Sequence, residues 1–230
     1  MNDRPVEDYE YESERQRLLE QVIAETLGTA GLTGCAELSE PVLHALAAVP
    51  RHRFVPPAQL DWAYADTPLP IGCGQTISQP FIVALMTELL ALGSQSVVLE
   101  VGTGSGYQTA MLAGLAQRVY SVERIPALAE AAERRLRELG IANVEIRIAD
   151  GYRGWEEKAP FDAIMVTAAA AEVPPALVRQ LKPGGRLVVP VGPQHRSQDL
   201  RVICKDESGL PHSRSVLPVV FVPLVRDCED

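Results

Sequence analysis

The sequence predicts an α/β fold: a doubly wound, mostly parallel seven-stranded sheet with helices on both faces, carrying an N-terminal helical and irregular lobe. Three observations predict it. From Ser96 onward, short apolar runs alternate with segments of helical period. Helices of that length between strands require parallel neighbours. The first strand also runs into a glycine-rich turn, Gly102-Thr103-Gly104-Ser105-Gly106, before a helix. At 230 residues the chain fits one structural domain. Three stretches are expected in it: a flexible acidic segment 1–13, a helical and loop-rich region 14–93, and a sheet core 94–226.

The elements follow in order. Leu19, Val22, Ile23 and Leu27 recur at helical spacing over Glu14–Leu27, and Gly28 ends the run. Ser39 and Pro41 open a helix over Glu40–Ala48. Residues 50–80, rich in Pro, Gly and aromatics, read as an ordered irregular lobe, with Trp62 and Tyr64 in its core. A helix is expected over Pro80–Leu92. Strands are expected at Ser96–Val101, Arg118–Val122, Val144–Ile148, Phe161–Val166, Arg186–Val191, Leu200–Lys205 and Val216–Val222. Helices fall between them at Tyr107–Ala116, Pro126–Leu139 and Pro174–Leu181.

Composition excludes several function classes. Asp and Glu number 30 against 21 Lys and Arg, a net charge of −9, which opposes nucleic-acid binding by counterion displacement. Arg134, Arg135 and Arg137 read as the solvated face of a helix. Cys35, Cys73, Cys204 and Cys228 show no C-x-x-C spacing, so no metal site is expected, and few scattered cysteines suit the cytoplasm. No signal segment or membrane helix is expected. His44, His52 and His195 read as packed or surface residues, and a monomer is expected.

The glycine turn carries the chemistry. Its glycines permit positive φ and close backbone approach at a helix N-terminus. Position 107 is Tyr, where the dinucleotide fingerprint would place Gly or Ala, which weakens an NAD reading. Glu123 ends the next strand, 21 positions past Gly102, where a forked carboxylate can accept two ribose hydroxyls. Asp150, followed by Gly151, ends the third strand, within reach of an adenine amino group. The three lie at successive strand ends, where open α/β sheets bind ligands. A nucleoside-containing cofactor is expected.

The chain resembles the class I S-adenosylmethionine-dependent methyltransferases, which are Rossmann-like. More narrowly, it resembles the protein-L-isoaspartate (D-aspartate) O-methyltransferase family over about Leu38 to Leu224. The most specific element is the stretch Leu69 to Pro80, LPIGCGQTISQP. Supporting matches are Val49-Pro50-Arg51, Leu99-Glu100-Val101 with the glycine turn, Asp162-Ala163-Ile164, Val166-Thr167-Ala168, Lys182-Pro183-Gly184-Gly185 and Phe221-Val222-Pro223-Leu224. Cys73 stands where an aromatic residue is common, and Ala171 where Pro often follows. The first ~35 residues look like a family-variable extension.

The resemblance implies transfer of a methyl group from S-adenosylmethionine, leaving S-adenosylhomocysteine, to the free carboxylate of isoaspartyl residues in damaged proteins. The ester then closes to a succinimide, whose hydrolysis partly restores aspartate. It implies Ser78 as the active-site hydroxyl, with Gly74, Gln75, Thr76, Ile77 and Gln79 binding substrate. Cofactor residues would be Glu100, Gly102, Thr103, Gly104, Ser105, Gly106, Tyr107, Glu123, Arg124, Asp150 and Gly151. The chemistry needs no base, because a carboxylate is already ionised at pH 7. Ser78 could also serve as N-cap of the Pro80 helix. Trp155 either edges the adenine pocket or packs beneath it. Three alternatives stand beside this reading: a biosynthetic carboxyl methyltransferase of the same fold, a non-catalytic S-adenosylmethionine-binding module, and an NAD-dependent oxidoreductase.

Overall fold

The structure is a computed structural model that describes residues 10–194 and 196–225. The chain enters through α1 (Glu12–Thr33) and α2 (Glu40–Ala48), then two 3-10 turns, Arg51–Phe54 and Pro57–Trp62. A small antiparallel hairpin follows, β1 (Leu69–Gly72) with β2 (Gln75–Ile77), and then α3 (Pro80–Leu89). The main sheet is built from β3 (Val97–Val101), β4 (Arg118–Glu123), β5 (Val144–Ile148), β6 (Phe161–Val166), β7 (Leu181–Val191), β8 (Gln198–Lys205) and β9 (Pro211–Val219). Its helices are α4 (Tyr107–Ala113), α5 (Pro126–Glu138) and α6 (Pro175–Gln180).

The seven strands lie in the order β5-β4-β3-β6-β7-β8-β9. The first five are parallel, and β8 and β9 close the sheet as antiparallel neighbours. Side chains alternate between two cores. Val98, Ala163, Met165 and Val188 face the core shared with α1 to α4, while Leu99, Ile164, Leu187 and Val189 face the one holding Trp155 and Leu177 of α6. That period-2 alternation with both faces buried explains the near-continuous apolar strands of the sequence. The chain turns outward from β3 to β4 and β5, then returns to the far side of β3 as β6. The switch point therefore lies between β3 and β6, where open α/β sheets bind ligands.

Several expectations are corrected. Helix α1 runs through Gly28 and Gly31 to Gly34, which adopts φ 71° and bonds back to Ala30 O. A glycine inside a helix costs about 1 kcal/mol. Tertiary contacts offset it: Thr26 and Thr33 are buried, and Arg214 of β9 donates to Thr33 O at 3.2 Å. Residues 1–9 of the acidic segment lie outside the described residues, but Tyr11 stacks on His52 at 4.4 Å. The irregular lobe contains the β1–β2 hairpin, whose two-residue turn Cys73-Gly74 has positive φ at both positions (52° and 70°). Strand β9 starts five residues early, because Asp206 Oδ1 accepts from Ser208 N and Leu210 N and folds a tight turn. Trp62 is 61% exposed, outside the core.

Candidate active site

The loop from β3 to α4 makes the floor of a cleft at the switch point. Gly102, Gly104 and Gly106 have φ of 99°, 54° and 87°, which side-chain-bearing residues rarely adopt. Gly102 N donates to Val122 O and Gly106 N to Thr103 O, so the turn is tied at both ends. A Cβ on Gly102 would lie 2.3 Å from Thr167 Oγ1, which itself donates to Gly102 O at 2.6 Å. A Cβ on Gly151 would lie 2.5 Å from Val101 Cγ1. Backbone thus replaces side chain at two walls of the cleft, which opens to solvent.

Glu123 ends β4 facing this space. Its Oε2 accepts from Gly104 N at 2.8 Å and its Oε1 from Ile125 N at 2.9 Å. Each oxygen keeps lone-pair capacity for a further donor. The fork therefore fixes the glycine loop and still offers two acceptors to a ligand.

The cleft brings together Gly102, Thr103, Gly104, Ser105, Tyr107, Glu123, Arg124 and Gly151 from the expected cofactor set. On its other wall stand Gln75, Thr76, Ile77 and Ser78. A second cleft adjoins, edged by Gln79, Ile82, Pro218 and Val219–Val222. Thr76, Ser78, Thr167 and Val222 line both.

Five expected site residues do not line the first cleft. Gly74 sits at the tip of the hairpin. Gln79 lines only the second cleft. Gly106 caps α4, where a Cβ would press on Ala132 Cβ at 3.2 Å. Asp150 caps the 3-10 turn Gly151–Arg153, accepting from Tyr152 N at 2.9 Å. Glu100 is fully buried beneath the loop, where Thr109 and Ser121 each donate to Oε2 at 2.5 Å. Burial lifts its pKa to about 8, against the opposing effect of those two hydrogen bonds, so it is neutral at pH 7. Ser121 Oγ also meets Thr103 Oγ1 at 2.6 Å, so Glu100 supports the loop from below.

Other readings are revised as well. Ser78 is not the helix cap: Gln79 holds that position, and Asp66 Oδ1 accepts the Phe81 N–H at 2.8 Å. Arg135 is half-buried rather than solvated, donating to Ser105 O at 2.6 Å with its guanidinium over Phe54. His52 is buried against Tyr64, with Nδ1 2.9 Å from the hydroxyl, whereas His44 is exposed. Trp155 packs edge-on against Tyr120, beneath the cleft rather than in it. His195 and Cys228 lie outside the described residues.

Sequence reasoning missed Val83, Gln108, Thr167, Ala168 and the segment Val222–Val225, all of which line the first cleft. The segment reaches it by backbone pairing, with Ala169 N donating to Val222 O and Leu224 N to Ala169 O, both at 2.8 Å. Thr167 could have been found, because it follows β6, which borders the switch point. The C-terminal segment was signalled only by the family resemblance of Phe221–Leu224, with no chemistry of its own to mark it as a cleft wall.

A family model described as protein-L-isoaspartate(D-aspartate) O-methyltransferase matches residues 28–229. The chain is 52% identical over 217 residues to protein-L-isoaspartate O-methyltransferase 2 of Syntrophobacter fumaroxidans, covering 94% of this chain and 88% of that one. It belongs to this family. A relative in Anaeromyxobacter dehalogenans is 55% identical over 205 residues, covering 89% of this chain and 96% of the other. A solved protein-L-isoaspartate O-methyltransferase superposes with a TM-score of 0.78 at 30% identity, covering 91% of this chain and 65% of that chain. A Plasmodium falciparum structure assigned to the same activity, in complex with S-adenosyl-L-homocysteine, gives 0.75 at 28% identity, covering 93% and 99%. The walls formed by Gly102 and Gly151, and the accepting fork of Glu123, suit the nucleoside of the donor that this methyltransferase family uses. Among the described residues, no three His, Cys, Asp or Glu side chains gather as metal ligands, and no helix is long and apolar enough to cross a membrane.

Proposed function

We propose that this protein is a repair methyltransferase that transfers a methyl group from S-adenosylmethionine to the free carboxylate of L-isoaspartyl residues in damaged proteins. One observation carries the reading: Thr76, Ser78 and Thr167 line both the glycine-floored cleft and its neighbour, so donor and acceptor would meet across them. In this reading Gly102–Ser105, Tyr107, Glu123, Arg124 and Gly151 hold the donor. Gln75–Gln79 and the strand exit Val219–Val222 hold the acceptor peptide.

S-adenosylmethionine held by these residues would supply an electrophilic methyl on a sulfonium, with neutral S-adenosylhomocysteine as the leaving group. The residues then have little chemistry to do. The acceptor carboxylate is ionised at pH 7, so no side chain need remove a proton. Ser78 donates one hydrogen bond that orients the carboxylate without cancelling its charge. A lysine or arginine there would bind harder but lower nucleophilicity and repel the sulfonium. The acceleration comes from in-line placement and exclusion of water, and placement alone can supply about 7–11 kcal/mol. The enzyme would act as a cytoplasmic monomer, without nucleic acid or membrane.

Labelled-methyl transfer to paired peptides, one isoaspartyl and one aspartyl, tests this reading. Label is expected in the isoaspartyl peptide alone. Equal labelling of both would overturn the repair assignment, and no labelling of either would overturn methyl transfer to peptides.

A further inference from the structure

The backbone around Ser78 is held from outside the family core. Gln79 directly follows Ser78 and precedes Pro80, the first residue of α3. Its side-chain Nε2 donates to Asp66 Oδ2 at 3.0 Å and lies 3.4 Å from Glu25 Oε1. Asp66 Oδ1 simultaneously accepts from Phe81 N at 2.8 Å. Asp66 therefore grips both the residue after Ser78 and the first turn of α3. Glu25 comes from α1, three residues ahead of the stretch that the family model matches. Two carboxyl groups thus meet at one amide, on the flank of a loop whose next residue lines both clefts.

We propose that Glu25 is a positioning residue: with Asp66 it clamps the Gln79 amide and so fixes Ser78 between the two clefts. In its kinetic consequence the inference rests on the methyltransferase reading, but the clamp itself does not.

The clamp works only while Glu25 holds its proton. Burial first, then the hydrogen bond with Asp66 and its charge, push the Glu25 pKa up to about 7, against the hydrogen bond from Gln79, which favours the ionised form. Other charged groups on the elements packed against α1 are engaged elsewhere or exposed. Glu88 of α3 accepts from Ser39 N and Oγ, Arg214 of β9 donates to Thr33 O, and His212 of β9 pairs with Asp206. Glu40 and His44 of α2 are exposed. On α1 itself, Arg15 reaches Ala47 O and Tyr64. Buried Arg51 feels the charge of Asp66 from the Tyr107 side. Below neutrality, protonated Glu25 can donate to Asp66 while Gln79 donates to both, and the three groups close into one network. Above neutrality, two adjacent carboxylates repel and the clamp loosens.

The test uses the full chain and two variants. Glu25→Gln mimics the protonated acid at every pH, and Glu25→Ala removes it. In the ligand-free protein, the 15N signal of the Gln79 side-chain amide is expected to titrate with a midpoint near pH 7. It should be pH-independent in Glu25→Gln. In kinetics with an isoaspartyl peptide, KM of the unmodified enzyme should rise about 3- to 10-fold between pH 6 and 8.5. Glu25→Gln should flatten that rise, and Glu25→Ala should show the high KM already at pH 6. An amide signal that does not move with pH, or that titrates identically in Glu25→Gln, overturns the clamp. So does a KM profile that the glutamine variant leaves unchanged. An unmodified chain that transfers no methyl overturns the proposed function instead, and the amide titration then decides the clamp alone.

Discussion

Ser78 sits where two clefts share a wall, and the identity of its side chain fits the electrostatics of the proposed transfer. A neutral donor can aim a carboxylate without quenching it. A hydrogen bond to a charged group contributes roughly 1.5–3 kcal/mol. Ser78→Ala should therefore lower kcat by about 10- to 100-fold. Because the glycine loop and Glu123 are untouched by that change, affinity for S-adenosylhomocysteine in calorimetry should stay within about twofold of the unmodified protein. A large loss of nucleoside affinity would mean that the hydroxyl belongs to the donor site instead. At the same scale, the sequence signalled some roles and hid others. Glu123 was legible because a strand end and a spacing from the glycine turn mark it. The duties of Asp66, Arg135 and Glu100 were hidden, because each is set by a partner far along the chain: Phe81, Ser105 and Ser121. Asp150 has a local donor, Tyr152 N, and caps its own turn, which leaves it further acceptor capacity at the end of β5.

The glycine loop acts as a unit, and so its failure should be a unit failure. Gly102 combines positive φ with a neighbour, Thr167 Oγ1, that a Cβ would approach at 2.3 Å. Gly102→Ala must either rotate the backbone out of this region or displace Thr167, breaking its bond to Gly102 O. A strained backbone position of this kind costs about 1–3 kcal/mol. The variant should melt at lower temperature and show at least a tenfold loss of S-adenosylhomocysteine binding, read together in one thermal-shift titration. An unchanged titration would show that the loop does not approach the ligand closely. The elements around the loop were largely readable, since the strand and helix periods from Ser96 onward persist in β3 to β7. The β1–β2 hairpin was not, because its turn is Cys73-Gly74, lacking the usual Asn or Asp signal. The extent of α1 was not either, because buried threonines and an arginine from β9 outweigh the local preference of Gly28 to stop a helix.

At the scale of the whole molecule, one buried acid links stability to pH. Glu100 lies on β3, the third strand of seven, and is fully buried between the two cores. Its folded pKa of about 8 stands above the ordinary glutamate value of 4.5 that governs the unfolded chain, chiefly because burial disfavours the charged form. The sign then follows from proton binding. Below about pH 4.5 both states hold the proton, and the native state has its full advantage. Between 4.5 and 8 the unfolded chain releases it while the native state retains it, so stability falls by up to ~1.4 kcal/mol per pH unit. Above about pH 8 the native state ionises too, and this loss levels off. Glu100→Gln cannot ionise and should lack this contribution. At pH 5 it should be about 1–3 kcal/mol less stable, because its amide would put two N–H donors where the neutral acid puts a single O–H, at the Oε1 position that has no partner. Its deficit should shrink, and then reverse, as pH rises toward 8. Urea midpoints of the two proteins from pH 5 to 9 measure this directly, and titrating groups common to both, Glu25 among them, cancel in the difference. A difference that stays constant across that range would mean that Glu100 is already ionised in the native protein, and that Thr109 and Ser121 satisfy a charge rather than a neutral acid beneath the glycine loop.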